Sequence, residues 1–278
     1  MKSILLHSLL ICSLMSTAQV APKEELIKLK PTHYLIKPSD HLGNVGVFNG
    51  KQRLILIDDQ TNKQADRIKQ LLKKITPRKP SLIINTSFHP NHTNGNLIFG
   101  AENTSIVAHE NARLRMQKGR PTITFIERMQ LYDDLETIEL THVKQAVSDG
   151  DIIVQFKQAN VFYTGDLFVR NGLPPIDEKN GGDIYGLIHA LNYLINVANE
   201  QSIIVPGHGT PCGLKELRTF RDMITGIRNT LIQLARQKKN EEEILREMES
   251  FIEINSTLIS KKAFTLHALR MVQKHERI

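Results

Sequence analysis

The sequence contains no tryptophan, and aromatic residues make up only 5% of its 278 residues, so we expect a mainly aliphatic core. Cysteine occurs twice, at Cys12 and Cys212, and only Cys212 remains if the N-terminal segment is removed. A single cysteine cannot form an internal disulfide. No apolar run reaches the length of about 20 residues that a membrane-spanning helix needs, so we predict no membrane span.

The N-terminal segment has the pattern of a secretory signal. Lys2 gives a positive start, a short apolar run extends from Ile4 to Met15, and small residues follow at positions 16–18. We predict a signal peptide over residues 1–18, cleaved after Ala18, and a periplasmic or secreted mature chain of residues 19–278. A buried N-terminal helix is the alternative interpretation.

The chain is basic, with a formal net charge of +7. Its positive residues gather in LKKITPRKP and ARQKKN, which lie at a helix end and on a helical face in the predicted structure. No aromatic side chains that could stack on bases are interleaved with them. We therefore interpret both runs as solvated surface and predict a small-molecule ligand or substrate, with no nucleic-acid partner.

Short apolar strands alternate with amphipathic helices along the mature chain, which predicts one α/β domain with sheet inside and helices outside. Two strands around the Gly50–Lys51 turn suggest a hairpin, and a helix following Glu110 is expected to close at Gly119. From about residue 213 the chain is helical and is either part of this domain or appended to it. The apolar stripe of its first helix predicts core packing, with a subunit interface as the alternative; the stripe consists of Leu217, Phe220, Ile224 and Ile227.

Histidine and aspartate residues occur where three predicted strands end. His89 and His92 follow SLIIN, Asp166 follows NVFYTG, and His208 follows SIIVPG. Loops at strand ends are where α/β proteins place ligands, and two histidines with one carboxylate are zinc ligands of the kind found in catalytic sites. Structural histidines and a turn aspartate are the alternative, and spacing alone does not separate the two interpretations.

The order of motifs NTSFHPNHTNGN, AVSDGD, VFYTGDLF and VPGHG resembles the metallo-β-lactamase superfamily of hydrolases. The resemblance runs from about Val45 to about His208 and includes LILIDD before the first helix and IDEKNGG after GDLF. It implies a four-layer αβ/βα sandwich, in which two mixed β-sheets pack together with helices on the outside. The metal cleft is then expected at one edge of the sheets.

The resemblance also implies a degenerate metal-binding motif. The superfamily's first loop reads His-x-His-x-Asp-His, and here Ser87 replaces the first histidine and Asn91 the aspartate, while Val147 replaces a third histidine in a later loop. The remaining ligand positions are retained, namely His89, His92, Asp166 and His208. Asp58 matches an acidic residue that supports the ligand loop from behind.

These substitutions predict at most one weakly bound zinc ion. The ion position formed by Ser87, His89 and Val147 is expected to be empty, whereas His92, Asp166 and His208 form a second position. His142 lies five residues before Val147 and is not expected to replace the lost ligand.

The resemblance and the predicted signal peptide together imply an exported hydrolase that cleaves an ester, thioester or lactam-type bond. Its candidate catalytic residues are Asp166 and His89, the latter as a replacement base because Asn91 cannot accept a proton. The alternative is a catalytically inactive pseudoenzyme that binds a ligand or partner in the former cleft.

Overall fold

The computed structural model describes residues 25–38, 42–134, 136–170 and 172–277. The predicted signal peptide, residues 1–18, lies outside the described residues. Within the described residues, no helix combines the length and the apolar character needed to cross a membrane.

Within these ranges, two mixed sheets contain all twelve strands. The seven-stranded sheet has the strand order β1 to β7, and its last four strands run parallel; its members are β1 (Glu25–Lys30), β2 (His33–Lys37), β3 (Val45–Asn49), β4 (Leu54–Ile57), β5 (Leu82–Ile84), β6 (Ser105–His109) and β7 (Ile123–Phe125). The five-stranded sheet has the order β12-β11-β10-β9-β8 and is antiparallel except between β11 and β12; its members are β8 (Arg128–Asp133), β9 (Glu136–His142), β10 (Ile152–Phe156), β11 (Val161–Tyr163) and β12 (Ile203–Val205).

Helices cover the outer face of each sheet. Three short helices and α1 pack near the seven-stranded sheet, while four longer helices cover the other sheet. In the described chain the helices are α1 (Ala65–Leu72), α2 (Pro90–Thr93), α3 (Asn96–Gly100), α4 (Glu110–Arg115), α5 (Ile184–Val197), α6 (Leu214–Arg236), α7 (Glu241–Phe251) and α8 (Lys261–Glu276).

Alternation of side chains along the strands creates three apolar cores. Leu35 and Ile55 face the other sheet, where they pack with residues such as Ile138 and Val154. Their neighbours Ile36 and Leu56 point the other way and pack against α1. Because both faces of the central strands are covered, a run such as LILI in β4 is apolar throughout. The predicted four-layer αβ/βα sandwich is therefore observed.

The helices after residue 213 pack against the five-stranded sheet. The stripe of Leu217, Phe220, Ile224 and Ile227 on α6 is buried in the same core as α5, α7 and α8. Core packing, the simpler of the two interpretations of this stripe, is therefore correct, and the stripe is not available as a subunit interface.

Some predicted boundaries were wrong. The helix after Glu110 ends at Arg115, and its C-cap is the extended residue Met116, so Gly119 does not close it. Gly119 instead has a left-handed φ of 61° in the turn before β7. Strands β7 and β8, and the short helices α2 and α3, were not predicted. Strand β7 and both helices have only three to five residues each, and β8 alternates exposed with only partly buried side chains.

A buried histidine is part of the core between the sheets. His33 is fully buried against the rings of Phe48 and Phe156, and its Nε2 atom has no hydrogen-bond partner. Burial, together with the nearby charge of Lys30, lowers the pKa of His33 to about 4. The folded protein therefore holds this ring neutral in a pH range in which the unfolded chain protonates it.

We expect His33 to make the protein less stable as the pH falls from about 7 to 4. The unfolded state binds one more proton there than the folded state, which costs up to about 3 kcal/mol for this shift. His33→Phe should remove this part of the pH dependence, as measured by urea unfolding at several pH values. His189→Phe, at an exposed position, is the control, and an unchanged pH dependence in His33→Phe would show that His33 is not the titrating group.

Candidate metal centre

The strand ends bring the predicted ligand residues to one edge of the two sheets. Asp58 directly follows β4, and the loop after β5 leads into the short helix α2, which carries His92. Asp166 lies in a single 3-10 turn after β11, and His208 follows β12 by three residues. Because β4 and β5 are parallel, as are β11 and β12, these loops leave each sheet at the same edge.

Three of the predicted ligands form a compact cluster. The Oδ1 atom of Asp166 lies 3.0 Å from Nε2 of His92 and 3.0 Å from Nε2 of His208. The two imidazole rings are nearly perpendicular, with centroids 5.3 Å apart. All three side chains are buried, so the predicted convergence of the three loops is observed.

Asp58 supports this cluster from behind, as the resemblance implied. Its Oδ2 atom lies 2.8 Å from Nδ1 of His92, so the ring presents Nε2 to Asp166. The same carboxylate accepts hydrogen bonds from the backbone N–H and the hydroxyl of Thr86, each at 2.7 Å. A carboxylate behind a ligand histidine fixes the tautomer and orientation of the ring.

Backbone contacts lock the two later loops together. The N–H of Gly207 donates to the carbonyls of Gly165 and Phe168, and a Cβ atom at position 207 would lie only 2.5 Å from the backbone of Gly165. Gly165 itself has a left-handed φ of 52°. Asn44 braces the loop of His208 from the other side, because its amide donates to the carbonyls of Pro206 and Gly209. Glycine is therefore required where the backbones of the two loops approach each other most closely.

The buried charges of the cluster stabilise one another. Burial alone would raise the pKa of Asp166, but the imidazoles of His92 and His208 outweigh it and hold this pKa well below its usual value. Burial would likewise lower the pKa of His92, but the carboxylates of Asp166 and Asp58 raise it well above the usual value. The carboxylate of Asp166 is therefore ionised and ready to interact with a cation or a protonated ring.

His89 lies beside the cluster, between two carboxylates. Its Nδ1 atom is 3.6 Å from Oδ2 of Asp166, and its Nε2 atom is 3.8 Å from Oδ2 of Asp177. Burial would lower the pKa of His89, but Asp177, Asp166 and Asp151 together raise it. The proximity of His89 in turn lowers the pKa of Asp177 to about 2. His89 thus forms an ionic contact with the cluster without joining its three closely spaced ligand atoms.

The three positions at which the resemblance implies replaced ligands differ in what they place near the cluster. Asn91 directs its side-chain amide at His208, with Nδ2 3.1 Å from Nε2. Ser87 is buried and lies 3.5 Å from Nδ1 of His89 through its hydroxyl. Val147 is fully buried in the core formed with α5 to α8. His142 stacks on His109 with a centroid distance of 3.6 Å and is not in the cluster.

Two acidic residues near His89 were missed in the sequence. Asp177 precedes a 3-10 turn in the loop before α5, and Asp151 lies just before β10. Asp151 is buried, and burial raises its pKa to about 6 although His89 and Ser148 act in the opposite direction. The stretches AVSDGD and IDEKNGG contain both residues, but nothing in their spacing indicates contact with His89.

The donor set fits a divalent metal ion. Two imidazole nitrogens and one carboxylate oxygen, all within 4.8 Å of one another, are the ligand types that zinc takes in three-ligand sites. Ligand bonds of 2.0–2.1 Å give a tetrahedron with edges of about 3.3 Å, near the observed separations of 3.0 Å. The second oxygen of Asp166 is buried without a hydrogen-bond partner. Asn91 can turn its amide oxygen toward the same point.

Comparison with solved structures identifies the fold. The chain is similar to the DIM-1 metallo-β-lactamase, with 14% identity and a TM-score of 0.64, over 74% of this chain and 98% of that chain. It is similar to a metallo-β-lactamase from Pontibacter korlensis, with 14% identity and a TM-score of 0.65, over 73% of this chain and 99% of that one. The sec-alkylsulfatase Pisa1 from Pseudomonas sp. shares 15% identity with a TM-score of 0.67; the match covers 91% of this chain and 50% of the alkylsulfatase.

These likenesses confirm the predicted metallo-β-lactamase fold. No protein family model matches the sequence. No curated protein matches it either.

We expect Asp58→Asn to weaken both the fold and metal binding. The substitution removes the charge that pairs with His92 in a buried position, which costs about 3–5 kcal/mol of unfolding free energy. Losing this support should also reduce zinc affinity by about 10–100-fold, as measured by calorimetric titration.

The matched control is Asp133→Asn at the end of β8. Asp133 is also buried and accepts hydrogen bonds from the backbone N–H groups of Lys51, Gln52 and Arg53, away from the cluster. It should lower stability without changing zinc affinity. Equal zinc affinity in both variants would contradict the supporting role of Asp58.

Proposed function

We propose that the protein is an exported metal-dependent hydrolase that uses one zinc ion held by His92, Asp166 and His208. The observation that supports this most strongly is the buried cluster of these three side chains at the sheet edge of a metallo-β-lactamase fold. The substrate is a small molecule with an ester, thioester or lactam-type bond.

The residues at the cluster have two roles: some would bind the metal ion, and others position the ligands and polar groups around it. A zinc ion bound there supplies a Lewis acid and promotes the ionisation of water. Asp166 contributes the negative charge that retains a cation, and Asp58 keeps Nε2 of His92 directed into the cleft. Asn91 adds a neutral amide next to His208 and therefore orients polar groups without accepting a proton.

We assign to His89 the role of a hydrogen-bond donor to the substrate. Its Nδ1 atom lies within hydrogen-bond reach of the Ser87 hydroxyl, whereas its Nε2 atom is 3.8 Å from Oδ2 of Asp177, which is longer than a hydrogen bond, so the Nε2–H group remains available. Carboxylates on both sides favour the donor form of the ring, which is the opposite of the base considered from the sequence. Asp177 would act through His89 as a positioning residue.

The bond type is proposed from the chemistry that the site supports, with the similar structures as a guide to the substrates to be tested. Two of them are named metallo-β-lactamases and one a sec-alkylsulfatase. A site with one Lewis acid and one donor side chain suits attack on a carbonyl carbon, where negative charge develops on a single oxygen. We therefore place carboxylic esters, thioesters and lactams first and test a secondary alkyl sulfate alongside them.

A pseudoenzyme that binds a ligand in this cleft is the second candidate. The observation that favours it is the replacement of ligand types at three positions, with Ser87 and Asn91 in the cleft and Val147 packed into the apolar core. Such a protein would retain the hydrogen-bonded cluster as a structural feature. Metal content and turnover separate the two candidates.

We expect the purified mature chain to bind one equivalent of zinc and to hydrolyse at least one member of a panel of ester, thioester, lactam and sulfate substrates. His208→Ala should lose both zinc and turnover, because it removes one of three protein ligands. His89→Leu should keep the zinc and lose turnover by about 100-fold or more, as expected for loss of a hydrogen-bond donor to the developing negative charge.

His189→Ala, at an exposed position on α5, is the control for both variants. Loss of zinc in His89→Leu would show that His89 is a ligand, as its place in the motif suggested. Absence of zinc together with unchanged thermal unfolding on chelation would favour the pseudoenzyme.

We expect Asn91→Asp to strengthen zinc binding, because it places a carboxylate beside His208 where a neutral amide now lies. The gain should be about tenfold or more, the scale on which even outer partners of a metal site act. Competition with a chromophoric chelator measures it. Asn94→Asp adds the same charge at an exposed position at the end of the same short helix and should change affinity little. An equal effect of both substitutions would contradict direct participation of residue 91.

A further inference from the structure

A small open cavity lies next to the candidate metal centre, on the side of His89. Its volume is about 390 Å³, within the range of about 300–1,000 Å³ typical of small-molecule sites. Six residues line it. They come from the loop after β5, from α4, and from the loops that carry Asp151 and Asp177: Phe88, Asn111, Leu114, Arg115, Asp149 and Asn180.

Two contacts connect this cavity with the centre. The ring of Phe88 packs on the imidazole of His89, with centroids 4.5 Å apart. On the other side, the amide of Asn180 donates to Oδ2 of Asp177, the same oxygen that faces His89. A molecule whose reacting bond lies beside His89 can therefore extend a substituent into the cavity.

The charged and polar groups of the cavity wall are already paired with one another. Arg115 forms a two-point ion pair with Asp149, donating from Nε to Oδ1 at 2.7 Å and from Nη2 to Oδ2, and it also donates to Oδ1 of Asn180 at 2.8 Å. The amide of Asn111 donates to the backbone carbonyl of Asp149. A carboxylate or phosphate on a ligand would have to compete with Asp149 for Arg115, so the wall offers no unpaired charge to an anion.

The apolar surface of the cavity wall comes from Leu114 and Phe88. The side chain of Leu114 is 71% exposed, although it lies at the end of a helix beside the cavity. Phe88 forms the opposite wall and is held between the His89 ring and the guanidinium of Arg115, which lies 5.9 Å from its centroid. Covering Leu114 and the part of Phe88 that remains exposed would remove apolar area from water.

We propose that this cavity is a substrate subsite that selects an uncharged, apolar substituent, such as an alkyl or aryl acyl chain. The assignment rests on the proposed hydrolase function, because it places the reacting bond at the adjacent centre. Leu114 and Phe88 supply the contact area, and the Arg115–Asp149 pair closes the polar end of the cavity and disfavours a charged chain end.

The test compares S-methyl thioesters that differ only in the acyl chain: acetyl, hexanoyl, and adipoyl, whose chain is as long as hexanoyl but ends in a carboxylate. We expect kcat/KM for hexanoyl to exceed that for acetyl and adipoyl by about tenfold, at the lower end of what an apolar pocket gains from one methylene. In Leu114→Asp this preference should disappear. Leu97→Asp, at another partly exposed leucine on α3 that does not line the cavity, should retain it.

Equal kcat/KM values for the three thioesters, or an unchanged preference in Leu114→Asp, would overturn the subsite. If the wild-type protein hydrolyses none of them, the proposed function fails for this bond type, and binding decides the subsite separately. In that case hexanamide should shift the methyl resonances of Leu114 in NMR spectra at lower concentration than the monoamide of adipic acid. No selective shift would overturn the subsite as well.

Discussion

A buried row of alternating carboxylates and imidazoles connects the loops that form the candidate metal centre. It runs from Asp58 through His92 and Asp166 to His208, with neighbouring polar atoms 2.8–3.0 Å apart. Each member is costly to bury alone, since a charge removed from water needs a partner of opposite sign. The loops after β4, β5, β11 and β12 are therefore tied to one another by these side chains, and the backbone bonds between Gly207 and Gly165 fix the spacing of the last two.

The two carboxylate oxygens of Asp166 face different histidine side chains. One oxygen faces the two imidazole nitrogens with which it can share a metal ion. The other oxygen faces His89, which also lies near Asp177. On that side a ring between carboxylates provides the positive character, and Val147, which the resemblance aligns with a further ligand position, is packed in the apolar core. The cleft is thus asymmetric: one half can bind a cation, and the other half contains a donor side chain.

The cluster could be predicted from the sequence because its residues follow apolar strands directly. The parallel pairs β4–β5 and β11–β12 turn that local pattern into spatial proximity, and the order of the motifs specified the sandwich. Asp177 and Asp151 could not be predicted in the same way, since they lie in loops whose paths depend on packing far along the chain. Likewise β7 and β8 are edge strands. Strand β7 has three residues, too few to show a period, and in β8 the residues that alternate toward the core, Met129 and Leu131, are only partly buried.

The six residues from Ser87 to His92 link the chemistry of the site to its recognition of a ligand. His92 and Asn91 face the candidate metal position, His89 faces the two carboxylates, and Phe88 turns to the neighbouring cavity. Because Phe88 and His89 pack ring against ring, a movement of one displaces the other. A substituent that settles against Phe88 would therefore restrict the ring that contacts the reacting bond. This coupling makes apolar contact in the cavity a means of positioning His89, in addition to a source of affinity.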